Sequence, residues 1–163
     1  MKKVFLIVLI LLAILAVFGA CESKKGISSN LSLSSSQTDL DVQYIRVGSG
    51  FGPRHPACTV ISSINDLNQY TRNLNNYSFW ETEYTNAISK YSDSYFADNF
   101  LVIVLLEEPS GSNRHKVERL NPNGDIIIKQ LIPEMGTADM ATWSIIIELS
   151  NSFKLQQYRV VLE

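Results

Sequence analysis

Behind two lysines, Lys2 and Lys3, the chain opens with an unbroken apolar run over residues 4–18. Residues 22–39 then lose nearly all large apolar side chains and pass through a serine-rich tract between Ser28 and Ser36. From residue 40 onward apolar positions return in two rhythms, the alternation of strands and the three-to-four-residue spacing of helices. This pattern divides the chain into a leader over 1–20, a linker over 21–39 and one globular domain over 40–163.

Within the domain, residues 42–47 alternate and predict a first strand, broken by the glycine-rich stretch 48–53. Residues 57–61 predict a second. Ser63 stands three positions before Asp66, the arrangement of a helix start. Ile64, Leu67, Tyr70 and Leu74 then share one helical face. Tyr84, Ala87, Ile88 and Tyr91 predict a second helix, continuing loosely through Tyr95 and Phe96, with Phe79 and Trp80 as core between the two.

The remainder reads as sheet. Residues 100–106 are continuously apolar, which predicts a central strand covered on both faces. Residues 115–120 are more polar and half-exposed. Asn121-Pro122-Asn123-Gly124 is a hairpin turn with glycine where a positive φ is needed, and 125–132 returns. Residues 143–149 and 157–162 predict the last two strands. The expected class is α+β, a β-rich, sandwich-like antiparallel meander with two helices in the N-terminal half. In such a meander loops 107–114 and 133–142 fall at the same end of the sheet. That end collects Glu107, Glu108, Arg114, His115, Glu134, Asp139 and Trp143. Arg114 and Asp139 are expected to meet across the gap between the loops.

The leader has the three parts of a secretory signal: a basic start, an apolar run slightly short for a membrane span, and small residues before the cut. The small pair Gly19-Ala20 is followed directly by Cys21, the pattern of a bacterial lipoprotein, with Phe18 in place of the usual leucine. The expectation is cleavage before Cys21, diacylglycerol on its sulfur, and an extracytoplasmic domain held on a bacterial membrane by that lipid. The 22–39 stretch cannot bury enough apolar surface to fold. As a random coil it reaches ~23 Å.

Charge narrows the partners. The full chain carries a formal charge of −2; losing Lys2 and Lys3 with the leader takes Lys+Arg from 14 to 12 against 16 Asp+Glu, near −4. A net acidic chain argues against general nucleic-acid binding and against an electrostatic membrane footprint. With Cys21 acylated, Cys58 has no disulfide partner, and a lone thiol in a strand reads as a small core hydrophobe.

Four stretches carry a family resemblance. They are Val60-Ile61-Ser62-Ser63-Ile64-Asn65-Asp66-Leu67, Tyr95-Phe96-Ala97-Asp98-Asn99-Phe100-Leu101-Val102-Ile103-Val104, Glu108-Pro109-Ser110-Gly111-Ser112, and Thr137-Ala138-Asp139-Met140-Ala141-Thr142-Trp143-Ser144-Ile145-Ile146. Across residues 57–149 the chain resembles the C-terminal domain of PrcB-type proteins, exported subunits associated with a surface protease complex. It departs from that pattern at Ser110-Gly111-Ser112-Asn113-Arg114, where a second glycine and a tyrosine are missing. The resemblance implies a β-rich domain that binds or assists a protein partner, and it assigns no catalytic residue.

Catalytic and metal chemistry finds little footing. Cys58 with His55 or His115 lacks a motif that would bring thiol, base and orienting group together. No Gly-x-Ser-x-Gly elbow is present. Gly48-Ser49-Gly50-Phe51-Gly52 follows a strand but leads into Pro53-Arg54-His55-Pro56 rather than a helix N-terminus. Two histidines and one usable cysteine make a zinc site improbable, and residues 121–125 lack calcium-loop spacing. Glu107, Glu108 and Glu134 read as solvated surface. Asn30-Leu31-Ser32 and Asn76-Tyr77-Ser78 match the glycosylation pattern, which has little meaning in a bacterial lipoprotein. The expectation is a non-enzymatic accessory domain without cofactor or metal. It binds a protein through Arg114, His115, Asp139 and Trp143, with burial the stronger reading for Trp143. A small-ligand or glycan receptor is the alternative.

Overall fold

The computed structural model describes residues 40–50, 52–74 and 81–163, with Glu81 through its backbone alone. The expected export signal over residues 1–20, Cys21 and the serine-rich stretch lie outside the described residues, as do Phe79 and Trp80. The described elements run β1 (Asp41–Gly48), β2 (Ala57–Ile61), α1 (Ile64–Leu74), α2 (Glu81–Ile88), α3 (Asp93–Asp98), β3 (Asn99–Glu108), β4 (Arg114–Leu120), β5 (Asp125–Leu131), β6 (Ala141–Ser150) and β7 (Arg159–Leu162), with a 3-10 turn at Asn151–Phe153. The class is α+β and β-rich.

The strands divide between two sheets. One has the order β1-β6-β3-β2, the other β4-β5-β7. Pairing is antiparallel except between β5 and β7, which run parallel. The helices and the smaller sheet cover opposite faces of the larger sheet, which makes three layers.

The apolar run of β3 is what allows this. Phe100, Val102, Val104 and Leu106 face the smaller sheet and join Ile145, Ile147, Ile126, Ile128 and Val117. Leu101, Ile103 and Leu105 face the helices and join Leu67, Leu74, Tyr84, Tyr91 and Phe96. Successive side chains of a strand point to opposite faces, so a strand without polar positions needs a cover on each. Fully burying one such side chain contributes about 1.5–3 kcal/mol.

The path after β3 differs from the simple meander expected. β3 is flanked by β2 and β6, so β4 crosses to the second sheet rather than pairing with β3. The physical reason lies in β4 itself. Only alternate residues, His115 and Val117, are buried, so the strand can cover a sheet with one face but cannot sit inside one. A bulge between Val117 and Arg119 bends it, and the Val117 amide donates to the Tyr44 hydroxyl of β1 at 2.7 Å.

The second helical segment is also interrupted. Residues 89–92 leave the helix, and Tyr91 turns inward to place its hydroxyl 2.9 Å from Glu148 Oε1 and 2.7 Å from Gln43 Nε2. A new helix starts after extended Ser92, whose carbonyl accepts from Phe96 N at 3.2 Å. At the start of α1, Ser63 Oγ accepts from Asp66 N at 3.0 Å, and Asp66 accepts from Ser62 N at 3.3 Å. The hairpin turn forms as its residues dictate: Gly124 has φ 88° and its amide donates to Asn121 O at 2.9 Å.

Candidate functional site

Three connections meet at one end of the molecule: residues 49–56 after β1, 109–113 after β3, and 132–140 before β6. The register explains it, since β3 ends opposite the start of β6, with Glu108 facing Ala141, and β1 ends with Gly48 facing Thr142. Gly52 N donates to Glu107 Oε2 at 2.7 Å, and Thr142 Oγ1 donates to Gly50 O at 3.1 Å. The 107–114 and 133–142 loops share an end as expected. The 49–56 connection joins them there, which the alternation in β1 could not show.

Inside this end sits a buried polar cluster. Glu108 is 1% exposed and continues the inward-facing row of Phe100, Val102, Val104 and Leu106. Its Oε2 accepts from Asn113 Nδ2, and its Oε1 from His115 Nε2 and Gln130 Nε2, each at 2.7 Å. His115 and Gln130 are opposite one another across the β4–β5 pair, so register alone delivers both donors to one oxygen. Burial pushes the Glu108 carboxyl up. The hydrogen bonds from His115, Asn113 and Gln130 outweigh it, and the group lies below its ordinary value. An ionised carboxylate only accepts, so the imidazole carries a proton on Nε2. Glu108 was expected as solvated surface. It is buried because β3 runs two residues past the apolar run, and the strand period then turns Glu107 out and Glu108 in.

Above the cluster, the Trp143 ring meets His115 edge-on at 5.5 Å, and the Arg114 guanidinium lies 5.3 Å from the Trp143 ring centre. Arg114 Nη1 also donates to the carbonyls of Gly111 and Asn113, both at 2.9 Å. Arg114 therefore does not meet Asp139. Asp139 pairs with Arg46 of β1, a residue the sequence reading did not single out. Arg46 also donates to Met140 O at 3.2 Å. A hydrogen bond from the Thr137 side chain, and then the Arg46 guanidinium, hold the Asp139 carboxyl down at about 2.

His115 and Trp143 are each 7% exposed. Both lie mostly beneath the loop surface rather than on it. They support the loops from beneath. Arg114 and Asp139 are exposed.

The loops are fastened to one another. Gly111 N donates to Asp139 O at 2.7 Å, and Thr137 N donates to Ser110 Oγ at 3.0 Å. Ser110 Oγ and Ser112 Oγ are 2.8 Å apart. A Cβ at Gly111 would run into the Asp139 carboxylate and the Arg46 guanidinium, so the close approach of the loops depends on glycine there. On this pinned backbone large apolar side chains stand in solvent: Ile132 is 70% exposed and Met135 89%, with Leu131 and Met140 each at 44%. The sequence predicts Ile132 as the end of a strand and Met135 as plain loop. No local signal marks their exposure, because large apolar residues ordinarily signal burial.

Elsewhere, Cys58 lies in edge strand β2 against the core between the sheets, and burial pushes its thiol up to about 11. His55 is exposed in the 52–56 connection. A polar cleft of about 300 Å³ lies at the opposite end, beside the hairpin turn, lined by Asn123, Asp125, Gln157, Tyr158 and Arg159. Among the described residues no three His, Cys, Asp or Glu side chains converge as a metal site would require, and no helix is long and apolar enough to cross a membrane. No family model matches the chain, and no curated protein or solved structure matches it either.

Proposed function

We propose that this chain is a lipid-anchored, extracytoplasmic accessory protein that acts through protein–protein contacts made by the loop end of its domain. The observation that carries the reading is the 132–140 loop. Ile132 and Met135 stand 70% and 89% exposed on a backbone tied down through Ser110, Gly111 and Arg46. Exposed apolar groups on a soluble surface favour burial against a partner. Holding them in one shape beforehand lowers the ordering cost of binding. The apolar leader with Gly19-Ala20-Cys21, the serine-rich linker and the resemblance to PrcB-type domains support the anchored, partner-binding reading. The reading includes no catalytic step.

Two measurements test it. Cys21→Ser should stop incorporation of labelled fatty acid; continued labelling would remove the anchor from the proposal. A photo-crosslinking residue at position 135, on intact cells, should give a discrete adduct with one neighbour, while the same residue at position 123 in the distant hairpin turn should not. Adducts from 123 and none from 135 would place the working surface at the other end.

A further inference from the structure

On the outer face of the smaller sheet, Lys116 of β4 stands directly opposite Lys129 of β5. Both are exposed, while the alternating positions His115, Val117, Ile128 and Gln130 face inward. Cβ atoms of directly opposed residues lie ~5 Å apart, and like charges in that position destabilise a sheet. Among the described residues neither lysine has an ion pair. Of the other cations on this sheet, Arg119 is paired with Glu163 and Glu118, Arg159 with Asp125, and Arg114 is held by the Gly111 and Asn113 carbonyls. The next position along β5 on this face is Leu131, and Ile132 and Met135 follow, all exposed. Glu163, bonded through its backbone to Ile128 and Gln130 on either side of Lys129, is the neighbouring carboxylate and is paired with Arg119. Two ammonium groups without an ion pair thus share a face with exposed Leu131, and Ile132 and Met135 follow in the chain.

From this we infer that the surface takes a protein segment carrying carboxylates next to a large apolar side chain, the acids lying over Lys116 and Lys129 and the apolar group against Leu131, Ile132 and Met135. This deepens the proposed function and rests on its choice of the loop end. Charge complementarity selects the occupant: an acidic group relieves the lysine–lysine repulsion that the free domain carries. An anionic bilayer fits less well, because, among the described residues, only two lysines without an ion pair stand here. A flat anionic sheet spanning the face would also meet Glu118 and Glu163 on the strands beside them, which a narrow segment over the lysines need not.

The test uses the mature chain, residues 21–163, in detergent micelles as bait for a displayed library of random peptides. Enriched peptides should combine Asp or Glu with Leu, Ile, Met or Phe. Their affinity should fall about tenfold or more for Lys116→Glu/Lys129→Glu, and similarly for Ile132→Ser/Met135→Ser. The neutral pair Lys116→Gln/Lys129→Gln should weaken binding less than the reversed pair with an unchanged melting transition, which separates charge from folding. Peptides that lack acids, or that bind the reversed pair as well as the parent, would overturn the inference. So would displacement of the peptides by phosphatidylglycerol vesicles but not by phosphatidylcholine vesicles, which would assign the face to a bilayer. A position-135 adduct on cells that survives the lysine reversal would sink the acidic-segment inference and leave the loop-end reading standing. Loss of the adduct from the parent protein would remove that reading itself.

Discussion

His115 Nε2 lies 2.7 Å from Glu108 Oε1, and both side chains are closed off from solvent, at 0% and 1% exposure. The pair ties the last residue of β3 to the second of β4, where the chain crosses from one sheet to the other.

Glu108→Ala should be the most damaging single change at this end. It strands the buried donors of His115, Asn113 and Gln130 together, at a cost of roughly 3 kcal/mol or more. Urea unfolding would measure it. A loss under about 1 kcal/mol would mean that the cluster relaxes to find other partners.

The same carboxylate gives an acid dependence. Its folded-state pKa is depressed, so its contribution is fully present above the ordinary value of ~4.3 and disappears as pH falls through the folded value. Parent protein should therefore lose stability on acidification below ~4.3, and Glu108→Gln should flatten that part of the profile. Equal slopes for the two proteins between neutral pH and that limit, and also below it, would assign the acid loss to other groups.

Arg46→Ala removes the partner of Asp139 at a partly exposed site, where an ion pair contributes little. The melting transition should hardly move. The Gly111 amide, which donates to Asp139 O, should nonetheless exchange about tenfold faster as the loop opens locally. Because the Asp139 carboxyl is held down at about 2, its bracing is fully present above the ordinary aspartate value of ~3.9 and is lost as pH falls toward the folded value. Acidification to pH ~5 should therefore leave the protection of the Gly111 amide, corrected for the intrinsic pH dependence of exchange, unchanged in the parent.

Gly124→Ala places a Cβ on a residue at φ 88° and against the Gln157 carbonyl. Destabilisation should exceed about 1 kcal/mol, because strain and close approach act together. Asn123→Ala, on the exposed side of the same turn, should cost much less; similar losses would mean that the turn rearranges around the substitution.

Deleting residues 157–163 removes β7 from the free side of β5 and takes away Tyr158, which is 7% exposed and packs 6.0 Å from Phe100. The shortened protein should be poorly soluble, with no cooperative melt. A soluble deletion with the parent's transition would show that the smaller sheet is complete without it.

How much of this was readable beforehand depended on whether a signal was local. The hairpin at Gly124, the capped start of α1 and the doubly covered β3 follow from residues next to one another in the chain. Sheet membership does not: whether β4 lies beside β3 or beneath it depends on β2 and β6 occupying both flanks of β3. The Arg46–Asp139 pair was invisible for the same reason, because its partners come from β1 and a distant loop. Glu108 could have been placed, since extending the alternation of β3 by two residues turns it inward. The exposure of Ile132 and Met135 could not, because apolar residues near a strand end ordinarily signal burial.

The pairing of β1 with β6, in which Asp41 faces Glu148, has a kinetic consequence. Among the described residues β1 is the first strand made, yet its one strand partner arrives after α1, α2, α3 and four other strands. Closing so long a loop costs entropy before any ladder bond returns it, and chains rich in distant pairings fold on the millisecond-to-second scale. Until β6 arrives, the apolar side of β1, including Ile45 and Val47, has no sheet to join. On that ground the docking of β1 onto β6 is expected late in folding, and the period before it is when the newly made chain most needs protection.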